Sequence, residues 1–267
     1  MKFLKKASLA ASIAAVSFAA NAELVAMDEM AMAAATGQAG IDLDVTLTGA
    51  NAISIGEIEY TDTNEDGQTT DGGRLAITGV NIGTPSGSIT LNHTIDIDAD
   101  GNLNIAQSSY TENLQISVAR IDTRAAGTDT GVAAAAANLL TDLTLVMDVA
   151  PSTTTIGSDT DGNTTIAMDG AFKITDGSVT LLNGAIGVET LTFTGSDSVT
   201  VDGTTYTDLV TTDIDMTASS AGLAVTINSL QGDLTLGGVS MGGSTVGDIA
   251  VKDLALAGAS ILISGRD

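Results

Sequence analysis

The chain has 267 residues, 33 of them acidic and nine basic, a net charge of −24, and neither cysteine nor tryptophan. A field of that sign repels nucleic acid and anionic lipid, which are held through clustered Lys and Arg, so nucleic acid is set aside as a partner. A hydrophobic fraction of 43% with only two prolines can build a packed core, and the lack of cysteine excludes disulfide stapling and thiol lipidation.

The chain opens with "MKFLKKASLAASIAAVSFAANA": Lys2, Lys5 and Lys6, an uncharged run from Ala7 to Ala20, then Ala20-Asn21-Ala22. This is the pattern of a secretory signal peptide over residues 1–22, cleaved after Ala22. Cleavage removes three Lys and no acid, which takes the net charge from −24 to −27. The expected destination lies beyond the inner membrane: periplasm, cell surface or extracellular space. No later stretch reaches the roughly 18 to 20 continuous apolar residues of a membrane helix. Residues 23–267 hold only Tyr60, Tyr110, Phe172, Phe193 and Tyr206 as aromatics, too few for the two girdles of an outer-membrane barrel. The chain is therefore expected not to span a membrane.

Residues 23–40 form the next segment. "ELVAMDEMAMAAATG" lacks alternation, is rich in Ala and Met and ends at Gly37, which predicts a short helix over 25–36 and a junction behind it. From residue 41 the pattern changes. In "IDLDVTLTG", Ile41, Leu43, Val45 and Leu47 alternate with Asp42, Asp44, Thr46 and Thr48, the period of a strand with one face buried. The same period returns in "LQISVARI", "DLTLVMDV", "GLAVTI" and "GASILIS". Between such runs, Asp-Gly and Asn-Gly pairs at 66–67, 71–72, 100–101, 161–162, 169–170, 176–177, 183–184 and 202–203 predict tight turns.

Residues 41–267 thus read as an all-β domain, with a weak subdivision near 124–140. There "GTDTGVAAAAANLLTDL" fits either a helical turn around Val132 to Leu140 or an Ala-rich loop. The architecture expected is elongated, a mainly antiparallel sheet or an irregular β-solenoid or β-roll. A core of Val, Ile, Leu, Ala and Met suits thin layers.

The candidate chemistry is sparse. In "TDTNEDGQTTDGG", Asp62, Asn64 and Asp66 occupy alternate positions before Gly67, as in the first half of a calcium loop. With Thr70 and Asp71 they form the candidate metal set, and calcium is the ion considered. The position of the closing bidentate Glu is Gly73. "DIDADGNLN" (Asp96, Asp98, Asp100) and "SDTDGN" (Asp159, Asp161) repeat the spacing. The competing reading is a polar turn, because same-face neighbours on a strand stand about 6.6 Å apart, too far to share an ion unless the chain curls. "GVSMG" around Ser240 matches the nucleophile-elbow letters without a following helix, and His93 is the single histidine. No catalytic set stands out, and the chain is expected not to be an enzyme.

The leader, "LVAMDEMAMAAATGQAGIDLDVTL" and "IGEIEYTDTNEDGQTTDGGRLAITGVNIG", taken in order, resemble a family of secreted gammaproteobacterial proteins, the FilA-like pilus assembly proteins, a domain of unknown function. The resemblance is carried by the acidic helix, the "TGQAGI" junction (Thr36 to Ile41), and the strand, acidic loop and "GG-x-L" return between Ile55 and Leu75. It covers about residues 23–83 and implies a cell-surface or fimbrial role, with no catalytic residues. The expectation is an exported structural or assembly component of the bacterial surface, associated with a pilus or fibre. Its partners would be other surface or pilus proteins, or its own copies paired through edge strands. The alternative is a calcium-dependent adhesin or binding module.

Overall fold

The computed structural model describes residues 40–61, 73–124 and 137–264, which belong to one compact unit. The expected leader, the helix over 25–36 and the whole candidate metal set (Asp62, Asn64, Asp66, Thr70 and Asp71) lie outside the described residues.

Period-2 sequences rich in Thr, Val and Ile bury one face and leave the other wet, and the described residues form strands joined by turns and short irregular breaks, with no helix among them. Sixteen strands make one sheet in which every pairing is antiparallel. The register reduces them to a meander of eight long passes. The first pass is β1 (Ile41–Thr48) and β2 (Ile53–Thr61). The second is β3 (Arg74–Gly83) and β4 (Ser88–Ile97), the third β5 (Leu103–Gln107) and β6 (Thr111–Arg124), the fourth β7 (Ala137–Val149) and β8 (Ser152–Ser158). Strand β9 (Thr164–Leu181) is the fifth pass alone. β10 (Ile186–Val188), β11 (Thr190–Thr194) and β13 (Thr204–Ser219) from Val210 onward form the sixth, with β12 (Asp197–Val201) folded as a hairpin on the start of β13; β14 (Gly222–Met241) is the seventh, and β15 (Ser244–Leu256) with β16 (Ala259–Ile263) the eighth.

Each pass pairs with the next. β1 lies on β4 and β2 on β3; β4 pairs with β5 and β3 with β6; β5 pairs with β8 and β6 with β7. β9 carries β8 on its first half and β7 on its second. β14 carries β16 on its first half and β15 on its second. Of the solenoid, β-roll and antiparallel sheet alternatives, the chain takes the antiparallel sheet.

Most passes are interrupted near their middle, and many of the most buried residues lie at these interruptions: Leu47, Thr84, Gln107, Thr111, Asp148, Ala150, Phe193, Leu209 and Val210. Leu209 and Val210 are fully enclosed. Main-chain bonds tie the breaks together, Thr84 N donating to Gly49 O at 3.0 Å and Ser108 N to Asn92 O at 3.2 Å. Part of the core is thus a transverse band across the meander, while Ala76, Val118, Asp122, Val179 and Val239 are buried within strands away from it.

Two expectations are corrected. The run at 132–140 was open between a helical turn and a loop, but Ala137–Val149 is strand, and β7 pairs back onto β6. The β-branched and leucine-rich "NLLTDLTLVMDV" finds a partner strand on each side, which outweighs local helix preference. The Asp-Gly pairs at 169–170 and 176–177 are not turns but lie inside the 18-residue strand β9. A β-carbon on Gly170 would meet Ser152 Cβ at 2.9 Å, and one on Gly177 would meet Thr144 O at 3.0 Å, so these glycines permit close strand approach. The pairs at 183–184 and 202–203 do form the expected turns, with φ of 58° and 84°, and 50° and 81°.

Candidate functional site

The structure offers two candidate surfaces: the open borders of the sheet and a cleft at the central band. Among the described residues, β1 and β2 pair on one side only, and so do β15 and β16. The first and last passes therefore present unpaired backbone along most of their length. Apolar side chains collect at the same places. Of the 17 large hydrophobic residues exposed among the described residues, Ile41, Leu43, Ile53, Ile55, Ile58 and Tyr60 lie on the first pass, and Val246, Ile249, Val251, Ile261, Leu262 and Ile263 on the last. Ile41 and Leu43, Ile53 and Ile55, and Ile261 and Ile263 keep the two-residue period of one strand face. Among the described residues, no strand pairs on the outer side of these borders.

On the wing that begins with β2, the register sets three rows across β2, β3 and β6: Thr61, Arg74, Arg124; Glu59, Ala76, Asp122; and Glu57, Thr78, Arg120. Ala76 at the centre is fully buried, and its small side chain leaves room for the long ones around it. Arg124 Nη2 donates to Glu57 Oε2 at 2.7 Å, its Nε donates to Asp122 Oδ2 at 3.2 Å, and Arg74 Nη1 donates to Glu59 at 3.3 Å. Arg120 Nε lies 3.4 Å from Asp122 Oδ1. The Arg124 hydrogen bond holds the Glu57 carboxyl below its ordinary value, and Glu57 in turn raises Arg124. Three of the nine basic residues are spent in this lattice, which neutralises the β2 border locally.

The cleft, about 340 Å³, lies where the β3–β4 connection and the start of β4 face the β5–β6 connection. Thr84, Ser88, Thr90, Glu112 and Asn113 line it with Tyr110 and Tyr206. The two tyrosine rings stack, with centroids 3.6 Å apart and planes 12° from parallel. Tyr110 Oη donates to Asp148 Oδ2 at 3.3 Å, Asn113 N donates to Asp148 Oδ1 at 3.0 Å, and Lys173 Nζ stands 3.5 Å from the same carboxylate. Burial, and then the Asp148 charge, push the Tyr110 hydroxyl up, so it remains a donor. Asn113 adopts φ of 59°, a conformation that side chains other than Asn, Asp and Gly seldom take. Sequence alone shows that tyrosines are scarce. It holds no signal that residues 96 positions apart meet ring to ring.

The turns that repeat the calcium-like spacing are closed on themselves. Asp98 accepts from the backbone of Asp100 (3.0 Å) and Asn102 (2.9 Å), and from the amides of Asn102 (3.0 Å) and Asn104 (3.2 Å). Asp159 makes the same set with Asp161 N, Asn163 N and Asn163 Nδ2, each at 2.9 Å. The side-chain amide of Asn102 or Asn163, followed by its backbone N–H, holds each carboxyl below its ordinary value. These are Asx-type turns whose carboxylates are already occupied by N–H donors. Among the described residues, no group of three or more His, Asp or Glu could hold a metal ion.

Ser240 lies within β14, paired with Gly187 and Thr245, and no strand-to-helix corner follows it. His93 is on β4, facing Gln107 and Leu43, so the sheet does not bring these two together. A second cleft, about 250 Å³, carries Asp233 and Asp253 between β14 and β15. There Asp253 N and Lys252 Nζ donate to Asp233 at 2.9 and 3.0 Å and hold its carboxyl below the ordinary value.

The fold and these surfaces define an all-β protein built on one antiparallel meander whose first and last passes, among the described residues, have no outer partner strand. Residues 1–95 match a family of unknown function (DUF6160), which carries no activity to this chain. No curated protein and no solved structure matches it.

Proposed function

We propose that the chain is an exported structural or assembly component of the bacterial surface, associated with a pilus or fibre, that joins its neighbours through the borders of its sheet. The reading rests on one observation: among the described residues, exposed apolar side chains concentrate on the first and last passes, whose outer backbone edge pairs with no other strand. A strand added there covers both at once. The secretory leader pattern and the sequence resemblance support the location.

Polymer growth along such borders is opposed by the acidity of the chain, so association should be salt-dependent. The test is sedimentation velocity of the mature protein across a concentration series, with an Ile261→Lys/Ile263→Lys variant beside it. Both side chains are more than half exposed, so the variant keeps the fold. Concentration-dependent association that the variant loses is the expected result. A wild-type protein that stays monomeric at every concentration, together with a tagged copy found neither on cells nor on sheared filaments, would end the proposal. A second reading, a binding module, is favoured by the tyrosine-lined cleft.

A further inference from the structure

The chain spends its few aromatic side chains unevenly. Of three tyrosines, two meet at a single cleft, and the walls around them are mostly hydroxyls, with one carboxylate, one carboxamide and the aliphatic Ile89. The rings come from the β5–β6 connection and from β13, so they are brought together by the fold and not by local sequence. A hydrophobic staple at this position would serve as well with two aliphatic residues, and the chain uses Val, Ile and Leu almost everywhere else.

We infer that the cleft beside Tyr110 and Tyr206 is a binding site for a neutral saccharide of one or two rings. The volume of about 340 Å³ falls at the lower end of small-molecule sites. One face of each ring is taken by the other, so it is an outward ring face that meets the C–H side of a sugar. The Glu112 carboxylate and Asn113 carboxamide accept and donate to vicinal hydroxyls, and Ser88 and Thr90 supply further partners of either sense. No Lys or Arg lines the cleft, while Glu112 and the net charge of −24 repel anionic ligands, which leaves neutral, hydroxyl-rich ones.

The mechanism of recognition follows from what is already fixed. Asp148 takes the Tyr110 hydroxyl and the Asn113 backbone N–H, and Lys173 approaches the same carboxylate. The Tyr110 ring and the unusual Asn113 backbone are thereby locked before any ligand arrives, so little ordering entropy is lost on binding. Glu112 and Asn113 are exposed, so their side chains are free to contact a ligand. Lys173 also donates to Thr207 O at 3.4 Å, which links the support of Tyr110 to the strand that carries Tyr206.

Without tryptophan, emission comes from three tyrosines, and a Tyr60→Phe background leaves Tyr110 and Tyr206 as the emitters. Mature protein is titrated separately with maltose, cellobiose and diacetylchitobiose while tyrosine fluorescence is recorded, and amide chemical shifts are followed by NMR. Saturable binding to at least one disaccharide in the millimolar range is expected, with shifts confined to residues near 84–90, 110–113 and 206. Glu112→Gln, at an exposed site, should weaken it about tenfold, the loss of one charge-assisted hydrogen bond. Asn113→Gly, which keeps the left-handed backbone, should weaken it without changing the melting temperature. If none of the three sugars gives a saturable response, or if the response matches that of glycerol or is unchanged in both variants, the inference is overturned. The inference does not depend on the assembly proposal, since both variants leave the sheet borders intact.

Discussion

Asp122 lies 3.2 Å from Arg124 and 3.4 Å from Arg120, and its carboxylate is sealed from solvent by the side chains around it. A buried carboxylate between two guanidinium groups contributes less net stability than it appears to, since desolvation offsets the attraction. Removing it is another matter, because Arg120 then faces no carboxylate and Arg124 keeps only Glu57 and Glu59. Asp122→Ala is expected to cost about 3 kcal/mol, the usual result of breaking a buried pair from one side, measured by urea unfolding. A loss under 1 kcal/mol would show that water reaches the lattice.

The acidic side of the stability curve can be predicted from four carboxyls. Glu57, Asp98, Asp159 and Asp233 all have folded values below their ordinary ones, of 4.5 for Glu and 3.8 for Asp. Each therefore stabilises the fold fully above its ordinary value, and the contribution fades as pH falls through the lower, folded value. The melting temperature should be flat with respect to these groups between pH 7 and about 5, and should drop as the solution is acidified below about 4.5. A melting temperature that rises on acidification to pH 3 would contradict the assignment.

The two Asx turns make a paired prediction. Asp98→Asn and Asp159→Asn keep the side-chain shape but exchange a carboxylate acceptor for an amide, and each should lower the melting temperature and flatten its acid dependence. Neither should alter the response to millimolar calcium, because in both turns N–H donors already occupy the carboxylate oxygens. If calcium raises the melting temperature of the wild type and either variant abolishes that rise, these turns bind the ion.

Two glycines on neighbouring strands should behave oppositely. A β-carbon at Gly83 would lie 2.8 and 2.9 Å from the backbone C and O of Ala50, which cannot step aside as a side chain could. Gly83→Ala should therefore destabilise by about 1 to 3 kcal/mol. At Gly56, on the exposed β2, nothing lies within 4 Å of the added carbon, and Gly56→Ala should be neutral or stabilise by up to about 1 kcal/mol. Urea unfolding of both variants distinguishes them.

The sequence by itself determined that the described residues from 41 onward are chiefly strand, where most of their hairpins fall, and that the protein is strongly acidic. Those features are local: a period of two, an Asn183-Gly184 pair free to take positive φ, a count of charges. Tertiary structure decided the rest. Asp169-Gly170 and Asp176-Gly177 carry the same letters as turns but run straight through β9, because neighbouring strands on either side hold the backbone extended. Ile41 and Leu43 alternate with Asp42 and Asp44 as a buried face does, yet both are exposed, since among the described residues β1 pairs only with β4. The meeting of Tyr110 with Tyr206, and of Asp122 with Arg124 and Glu57, depends on register across strands. A chain's periodicity fixes which face a side chain takes, while its partner is set only when distant strands pair.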